Sequence, residues 1–568
     1  MTLADRIAAA RGDSQPDLVL KNATLINVLT GEIYPSDIVI HDGHIVALAP
    51  GYEAKETVDL GGNYVCPGFI DAHVHIESSL CTPPEFARML AAHGVTSAIT
   101  DPHEIANVYG ADGIRYMLDK AEGAPINLFV MASSCVPATA METNGAAVEA
   151  EDLAPLMSHP RVLGLAEMMN YPGVVYGDEG ILDKLDLFAG KVMDGHSPSV
   201  TGRELQAYVA AGIMSDHECT TPEEAMEKLR LGLTLFIREG TTTRNLLPLL
   251  PVISDDTWPR ICFCTDDRQP ASLMDEGSID FMVRTAIAHG IDPMTAIRIA
   301  TINTANYFRL YDRGAVAPGR RADLVVFSSM NDLHADRVYR DGVLIAQDGE
   351  CVAPFAQPKA FPVRPSMNVK PGIPDFRIPA RGDQIRVIVA SDDQVVTGHR
   401  IELAAVADGE AIVDLSRDLL KIATIERHRA TGHIGLGFIT GFGLKRGAIA
   451  GSVGHDHHNL IVIGADDASM AHVAQIVIDM GGGLAAVADD RVLGTLALPV
   501  AGLMTDAPMD EVRQRYDALI AAAQSLGSTM PDPFMTMSFM GLEVIPSLKL
   551  TDLGLVDVEA FKLVDLFV

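Results

Sequence analysis

Two histidines near the start of the chain, His73 and His75, have the spacing of a metal-chelating pair. They lie in the apolar run VCPGFIDAHVHI, which predicts a buried β-strand, and side chains two positions apart on a strand point to the same face. Two imidazoles on one face can bind a single divalent cation. Such pairs also occur as unrelated core or surface histidines, so residues on other strands must decide between the two interpretations.

Further ionisable residues stand where other apolar runs end. Eight such runs, most of them followed by helix-like sequence, lie between residues 65 and 267 and predict an α/β fold, a (β/α)8 barrel of the TIM type. Glu167 closes the fourth run, His196 the fifth, His217 the sixth and Asp266 the eighth. Because the carboxyl ends of the strands form one face of such a barrel, we expect these side chains to meet the histidine pair there. The alternative is a set of unrelated polar residues at the starts of loops.

Four imidazoles and two carboxylates are more ligands than one catalytic ion with an open coordination position needs. The set predicts two divalent metal ions per subunit, Mn or Fe(II), with Zn as the alternative. A carboxylate such as Glu167 can bridge two ions, and a water molecule between two cations loses a proton near neutral pH. We expect the resulting hydroxide to be the nucleophile and Asp266 to carry its proton to the leaving group. Asp267 either shares this role or caps the following loop.

The segments on either side of the predicted barrel read as short strands. Residues 17–48 and 319–350 alternate apolar and polar positions around Asp-Gly turns, which predicts one discontinuous β domain, a small β-sandwich made of residues 1–64 and 315–356. The barrel is expected at 65–314. Many prolines and few apolar runs predict a linker at 357–382, and mixed strand and helix patterns predict a C-terminal α/β domain at 383–568.

The amino-acid composition argues against two classes of binding partner, nucleic acids and membranes. With 43 Lys and Arg against 75 Asp and Glu, the 568-residue chain has a formal net charge of −32 and would repel nucleic-acid phosphates and anionic lipids. We therefore expect neither nucleic acid nor membrane as a partner. Seven cysteines without a CxxC pair, no apolar run long enough to span a bilayer and no signal-like N-terminus favour a cytoplasmic protein.

Several longer strings resemble those of bacterial-type adenine deaminases of the amidohydrolase superfamily. They are PGFIDAHVHIESS (67–79), DPHEIANV (101–108), SCVPAT (134–139), GLAEMMNYPGV (164–174), GSVGHDHHNLIVIG (451–464) and AGLMTD (501–506). The resemblance therefore extends over essentially the whole chain. Many amidohydrolases bridge their metals with a carboxylated lysine at the end of strand four, and Glu167 stands there in this sequence, which departs from the amide-ring hydrolases.

The resemblance implies a hydrolase that converts adenine to hypoxanthine and ammonia, by attack of a metal-bridging hydroxide on the amine-bearing ring carbon. It also implies a homo-oligomer, a dimer or larger, and metal ligation by His73, His75, Glu167, His196, His217 and Asp266. One alternative is another amidohydrolase with the same binuclear site, acting on a different aminopurine or a cyclic amide. The other is a barrel that keeps the fold without the reaction.

Substrate contacts are carried over from the same resemblance. Glu77 is expected to act in catalysis, by protonating a purine ring nitrogen or by hydrogen-bonding the edge of the base, unless it is an ordinary loop acid. Ser78, His103 and Glu104 are expected to bind substrate. Asp101 either orients a neighbouring group or caps the next helix.

Two other features leave alternatives open. The cluster of His455, Asp456, His457 and His458 could be a separate metal site, a loop that covers the barrel mouth, or a contact between subunits. Arg238 and Glu239 end the seventh run, where they could pair with each other.

Overall fold

The structure is a computed structural model that describes residues 2–330, 332–354, 364–372, 374–391 and 395–568. Residues from both sides of the central domain form one nine-stranded sheet in the order β17-β16-β15-β14-β5-β1-β2-β3, with β4 paired to β1. Its strands, with the N-terminal helix, are α1 (Leu3–Arg11), β1 (Leu18–Asn27), β2 (Glu32–His41), β3 (His44–Ala47), β4 (Glu56–Asp59), β5 (Tyr64–Pro67), β14 (Leu324–Phe327), β15 (Arg337–Arg340), β16 (Val343–Gln347) and β17 (Glu350–Cys351).

The antiparallel pairing of β14 with β5 joins the two segments in a single sheet. Strand β5 spans the expected domain boundary at residue 64 and belongs to this sheet by its pairing. The layering of the sheet as a sandwich stays a prediction.

The central domain is TIM-like. Its eight strands are β6 (Phe69–Val74), β7 (Val95–Thr100), β8 (Asn127–Ala132), β9 (Val162–Met168), β10 (Val192–Gly195), β11 (Ser215–Asp216), β12 (Thr234–Arg238) and β13 (Ile261–Cys264). Each lies within one of the eight apolar runs. Strands β6 to β10 pair in parallel, as do β11 to β13, and a parallel bridge between Val74 and Asp266 brings the first strand beside the end of the last.

Helices alternate with these strands. They are α2 (Pro83–Ala92), α3 (His103–Tyr109), α4 (Ala111–Ala121), α5 (Ala150–Leu153), α6 (Tyr171–Tyr176), α7 (Glu179–Leu187), α8 (Gly202–Ala210), α9 (Pro222–Arg230), α10 (Leu246–Leu249), α11 (Pro270–Asp275), α12 (Ile279–Ala288), α13 (Pro293–Arg298) and α14 (Thr304–Tyr307). The Thr221 hydroxyl caps α9, because it accepts a hydrogen bond from the Glu224 amide.

The C-terminal region mixes strands and helices around an eight-stranded sheet in the order β20-β19-β24-β23-β26-β25-β27-β28. Its elements are β18 (Ile378–Pro379), β19 (Gln384–Val389), β20 (Gly398–Leu403), β21 (Ala405–Ala407), β22 (Glu410–Ile412), β23 (Leu420–Ile425), β24 (Ile434–Thr440), β25 (Ala448–Gly451), β26 (Leu460–Gly464), α15 (Asp467–Asp479), β27 (Gly483–Ala488), β28 (Arg491–Ala497), α16 (Met509–Ser525), α17 (Pro533–Ser538), β29 (Leu548–Thr551), β30 (Gly554–Asp557) and β31 (Lys562–Val564).

This region docks on the barrel through backbone and core contacts. The Thr505 amide donates to the Leu80 carbonyl, and the Thr82 amide donates to the Thr505 carbonyl. Part of the predicted linker, residues 357–363 and 373, lies outside the described residues. Its later part packs on the C-terminal sheet, because Phe376 is buried there and its carbonyl accepts from Lys421 Nζ at 2.9 Å.

A buried arginine fixes the loop between β25 and β26. Arg427 is fully buried and donates to the carbonyl oxygens of Ser366 and Ala501, at 2.8 and 2.9 Å, and to that of His458. Bonds from a charged donor to carbonyls compensate the loss of hydration that burial imposes on the guanidinium. The loop that carries His455 to His458 is therefore held in place from within the C-terminal region. Among the described residues, no helix is long and apolar enough to cross a membrane.

Gly164, in β9, provides a test of the barrel packing. A Cβ at this position would lie 2.0 Å from the Val192 carbonyl oxygen of β10. We expect Gly164→Ala to push the paired strands apart and to lower the free energy of unfolding by about 1–3 kcal/mol, measured as a lower thermal midpoint.

The matched control is Gly180→Ala in α7, where the nearest atom to the new Cβ would lie 3.5 Å away. Because alanine favours a helix over glycine, this variant should keep or raise the midpoint. Equal midpoints for the two variants would contradict the packing argument.

Candidate metal centre

The six predicted ligands converge at the carboxyl ends of the barrel strands, and all are buried. Glu167 lies at the centre. Its Oε1 is 3.5 Å from His73 Nε2 and 3.2 Å from His75 Nε2. Its Oε2 is 2.7 Å from His196 Nδ1 and 3.2 Å from His217 Nε2. One carboxylate therefore presents a different oxygen to each of two imidazole pairs.

Asp266 completes the cluster from the end of the eighth strand. Its Oδ1 lies 3.1 Å from His75 Nε2 and 3.7 Å from His73 Nε2. Its Oδ2 accepts a hydrogen bond from Arg238 Nη1 at 2.9 Å. The two carboxylate oxygens thus face different partners, one in the cluster and one at its edge.

Neighbouring polar groups fix the orientation of these ligands. The buried Asp71 carboxylate accepts from the Thr265 amide at 3.1 Å and from the Thr265 hydroxyl at 2.5 Å, which ties the first strand to the residue before Asp266. His75 Nδ1 lies 3.0 Å from the Asp101 carbonyl oxygen. Because a carbonyl only accepts, Nδ1 carries a proton and donates it there, and Nε2 is the ring atom that faces the cluster.

The donor set fits divalent cations. The ligand atoms of His73, His75 and Asp266 all lie within 4.8 Å of one another, as do those of His73, Glu167 and His217. Burial by itself would raise the pKa of Glu167, but the adjacent imidazoles of His217, His196 and His73 hold it well below its usual range. Mixed imidazole and carboxylate ligands are those that Mn, Fe(II) and Zn accept.

The sequence did not single out Glu218, which belongs to this site. Glu218 directly follows His217, is buried, and pairs with Arg238, whose Nη2 donates to its Oε2 at 2.9 Å. The suggested pairing of Arg238 with Glu239 is wrong. Successive residues at a strand end point to opposite sides, so Glu239 turns away to accept from the Leu246 amide at 3.1 Å. The sequence offered one signal for Glu218: it is a carboxylate that directly follows the predicted ligand His217.

The residues expected to bind substrate occupy different places. His103 and Glu104 line the pocket over the cluster, and His103 Nδ1 lies 3.0 Å from Asp101 Oδ2. Glu77 and Ser78 are buried beside that pocket and are not among the residues that line it. Glu77 Oε1 accepts from the Ile105 amide at 3.2 Å, and the Ser78 hydroxyl donates to Asp267. Their roles stay predictions.

The histidine-rich segment of the C-terminal region reaches across to the barrel. His455 Nδ1 contacts one oxygen of Glu104, and His458 Nε2 contacts the other. Both oxygens of Glu104 are therefore occupied by the C-terminal region. Of the alternatives for this cluster, the geometry favours the loop that covers the barrel mouth, since His455 and Asp456 also line the pocket.

The pocket lies between the two regions. The candidate metal ligands form its floor, and its apolar roof comes from the C-terminal region, with Phe539, Leu542, Val544 and Ile545. Beside Glu218, Arg238 and Thr243 it adjoins a larger cavity of about 1300 Å³. The reacting group can therefore be enclosed while a route to solvent remains.

Two protein-family models match this chain, one over the barrel and one over the C-terminal region. The amidohydrolase family model matches residues 64–373, and the model of the adenine deaminase C-terminal domain matches residues 394–562. An adenine deaminase of Desulfatibacillum aliphaticivorans is 51% identical over 563 residues, covering 99% of each chain. Adenine deaminase 2 of Carboxydothermus hydrogenoformans is 48% identical over 565 residues, also 99% of each chain. An adenine deaminase of Methanothrix thermoacetophila is 47% identical over 572 residues and all of both chains.

Glu167→Gln tests the central carboxylate. The substitution keeps the side-chain size but removes the negative charge that faces four imidazoles, so we expect affinity for Mn or Zn to fall by at least about 10-fold. Metal per chain is measured by elemental analysis after chelation, reloading and dialysis. Glu223→Gln, in the exposed first turn of α9, is the matched control and should keep the wild-type content. Full metal content in Glu167→Gln would refute the assigned role.

Proposed function

The chain belongs to the adenine deaminase family of the amidohydrolases, and we propose that it hydrolyses adenine to hypoxanthine and ammonia. Membership confirms the resemblance that the sequence motifs indicate. Relatives that match over the whole chain are named adenine deaminase, which supports this activity over hydrolysis of a cyclic amide.

The observation that carries the chemistry is the position of Glu167 between two imidazole pairs. One divalent ion would be held by His73, His75 and Asp266 and a second by His196 and His217, with Glu167 shared between them. When bound, the ions would supply Lewis acidity and lower the pKa of a water molecule. Mn or Fe(II), with Zn as the alternative, stays the proposed metal, because imidazole and carboxylate suit all of them.

The reaction replaces the exocyclic amine by oxygen. Water bonds to the amine-bearing ring carbon, the carbon–nitrogen bond breaks, and ammonia leaves. Asp266 takes a proton from the attacking water at Oδ1 and passes it to the departing amine, while Arg238 retains Oδ2 and keeps the carboxylate oriented. Glu77 is the proposed proton donor to a ring nitrogen, and it recovers a proton from the new hydroxyl group when the carbonyl of hypoxanthine forms.

The narrow space over the cluster favours the free base over its nucleoside. Apolar residues of the C-terminal region lie over the cluster, and a ribose on the purine would fit only by extending into the adjoining larger cavity. Homo-oligomerisation and a cytoplasmic location stay predictions of the sequence.

An ammonia-release assay tests the activity. Metal-loaded protein is expected to release ammonia from adenine, and to release much less from adenosine, guanine or cytosine. Hydantoin and dihydroorotate, tested for ring opening, represent the cyclic-amide alternative. No ammonia from adenine with metal bound would overturn the proposed function.

Asp266→Asn tests the proton carrier. The amide cannot accept a proton at neutral pH, so kcat is expected to fall by about 10²- to 10⁴-fold. Metal content is measured on the same sample. A loss of activity with full metal content can then be assigned to the missing proton acceptor and not to a missing metal ion. Asp256→Asn, at an exposed position, is the matched control. Unchanged turnover in Asp266→Asn would refute its role.

A further inference from the structure

The pocket over the metal centre is lined by six carboxylate side chains: Glu104, Glu167, Glu218, Asp266, Asp267 and Asp456. Five of them have partners in the protein. Glu104 is bound by His455 and His458, and Glu218 by Arg238. Glu167 and Asp266 face the ligand imidazoles, and Asp267 accepts from Ser78. These contacts account for those five groups without a substrate.

Asp456 differs from the other five. Its side chain is 4% exposed, and its Oδ2 is buried without a hydrogen-bond partner. Its other oxygen, Oδ1, lies 3.7 Å from His103 Nε2. A buried carboxylate oxygen without a donor is costly, and in a pocket it indicates a ligand that brings the donor. Because an ionised carboxylate only accepts hydrogen bonds, an organic substrate can pair with Asp456 through an N–H or O–H group.

The loop around Asp456 is held firmly enough to position it. His455 and His458, on either side, are bound to Glu104 of the barrel. The His455 ring stacks on Phe539, with ring centroids 4.7 Å apart and planes 13° from parallel. His428 Nε2 lies 2.7 Å from the His457 carbonyl oxygen. The carboxylate is therefore presented by a fixed loop, and such preorganisation lowers the entropy lost on binding.

We infer that Asp456 accepts the N–H of the five-membered ring of adenine and thereby selects the free base. The inference rests on the proposed function. Free adenine carries this proton on N9 or, in the other tautomer, on N7. With the amine-bearing carbon at the metal-ligand floor, the five-membered ring extends toward the C-terminal region that supplies Asp456. A nucleoside has no N–H on that ring and carries a ribose on N9, so it cannot make this hydrogen bond, and we expect it to be disfavoured.

Two other polar atoms in the pocket also have no partner, Thr243 Oγ1 and His196 Nε2. The Thr243 hydroxyl can donate or accept, so it does not distinguish a base that has the N–H from one that lacks it. The His196 ring already faces Glu167 through Nδ1. Asp456 is the group whose chemistry matches the difference between base and nucleoside.

The experiment compares wild type with Asp456→Ala on adenine, 7-methyladenine and 9-methyladenine. Loss of a hydrogen bond to a charged acceptor should lower kcat/KM for adenine by about 10- to 100-fold. The base methylated on the recognised nitrogen should lose no activity, or gain some, because the removed carboxylate leaves space for the methyl group. The preference for adenine over that base should therefore fall by at least about 10-fold. Where a methylated base is not turned over, its inhibition constant replaces kcat/KM.

Both methylated bases lack the ring N–H, so neither should lose activity in Asp456→Ala, and the one that gains activity is methylated at the nitrogen that faces Asp456. Equal loss for all three bases, or kcat/KM for adenine within threefold of wild type, would overturn the inference. Metal content and thermal midpoint are recorded for each variant. If Asp456→Ala does not fold, Asp456→Leu takes its place with the same expected loss for adenine, because leucine is of similar size and has no acceptor. Glu559→Gln, an exposed acid at the larger cavity, is the matched control and should behave as wild type.

The inference and the proposed function fail in different ways. If wild-type protein releases no ammonia from adenine, the proposed function fails. Calorimetric binding of adenine and the methylated bases to metal-loaded wild type and Asp456→Ala then still tests Asp456. Binding that does not depend on Asp456, with ammonia release intact in the wild type, would leave the function standing and remove the inference.

Discussion

The buried charge of Glu167 is the constraint on which the site depends. Removing a carboxylate from water costs several kcal/mol unless opposite charge or hydrogen-bond donors surround it. Here four imidazoles surround it, two at each oxygen, and they come from β6 and the ends of the fifth and sixth strands. The barrel meets this requirement because its parallel strands end together at one face. Divalent cations between the carboxylate and the imidazoles would satisfy the same electrostatic requirement more completely.

A second set of buried charges joins the barrel to the C-terminal region. Glu104, at the start of α3, is bound on both oxygens by histidines more than 350 residues later in the chain. Arg427 in turn fixes the carbonyl at one end of that histidine loop. A buried ion pair gives little net stability but penalises every arrangement that leaves one partner alone. These contacts therefore specify how the regions meet, and the pocket forms where they meet.

The barrel and the C-terminal region contribute different kinds of side chain to the pocket. The barrel supplies the candidate metal ligands and the proposed proton carrier, which would act on the carbon–nitrogen bond. The C-terminal region supplies an apolar roof and one carboxylate, Asp456, which we propose select the substrate. Shape and hydrogen-bonding requirements can therefore change in one region without disturbing the ligand geometry in the other.

The barrel strands and the convergence of the candidate ligands could both be predicted from the sequence. Apolar runs located all eight barrel strands, and the two-residue period of a strand placed His73 and His75 on one face. Ligands at the ends of successive strands could be predicted to meet because a parallel barrel brings all its strand ends together whatever its loops do. The contact partners of Arg238, Glu104 and Asp456 could not be predicted from the sequence and are seen only in the tertiary structure. Those contacts depend on which way a strand end turns and on how a distant loop docks, and no local periodicity encodes either.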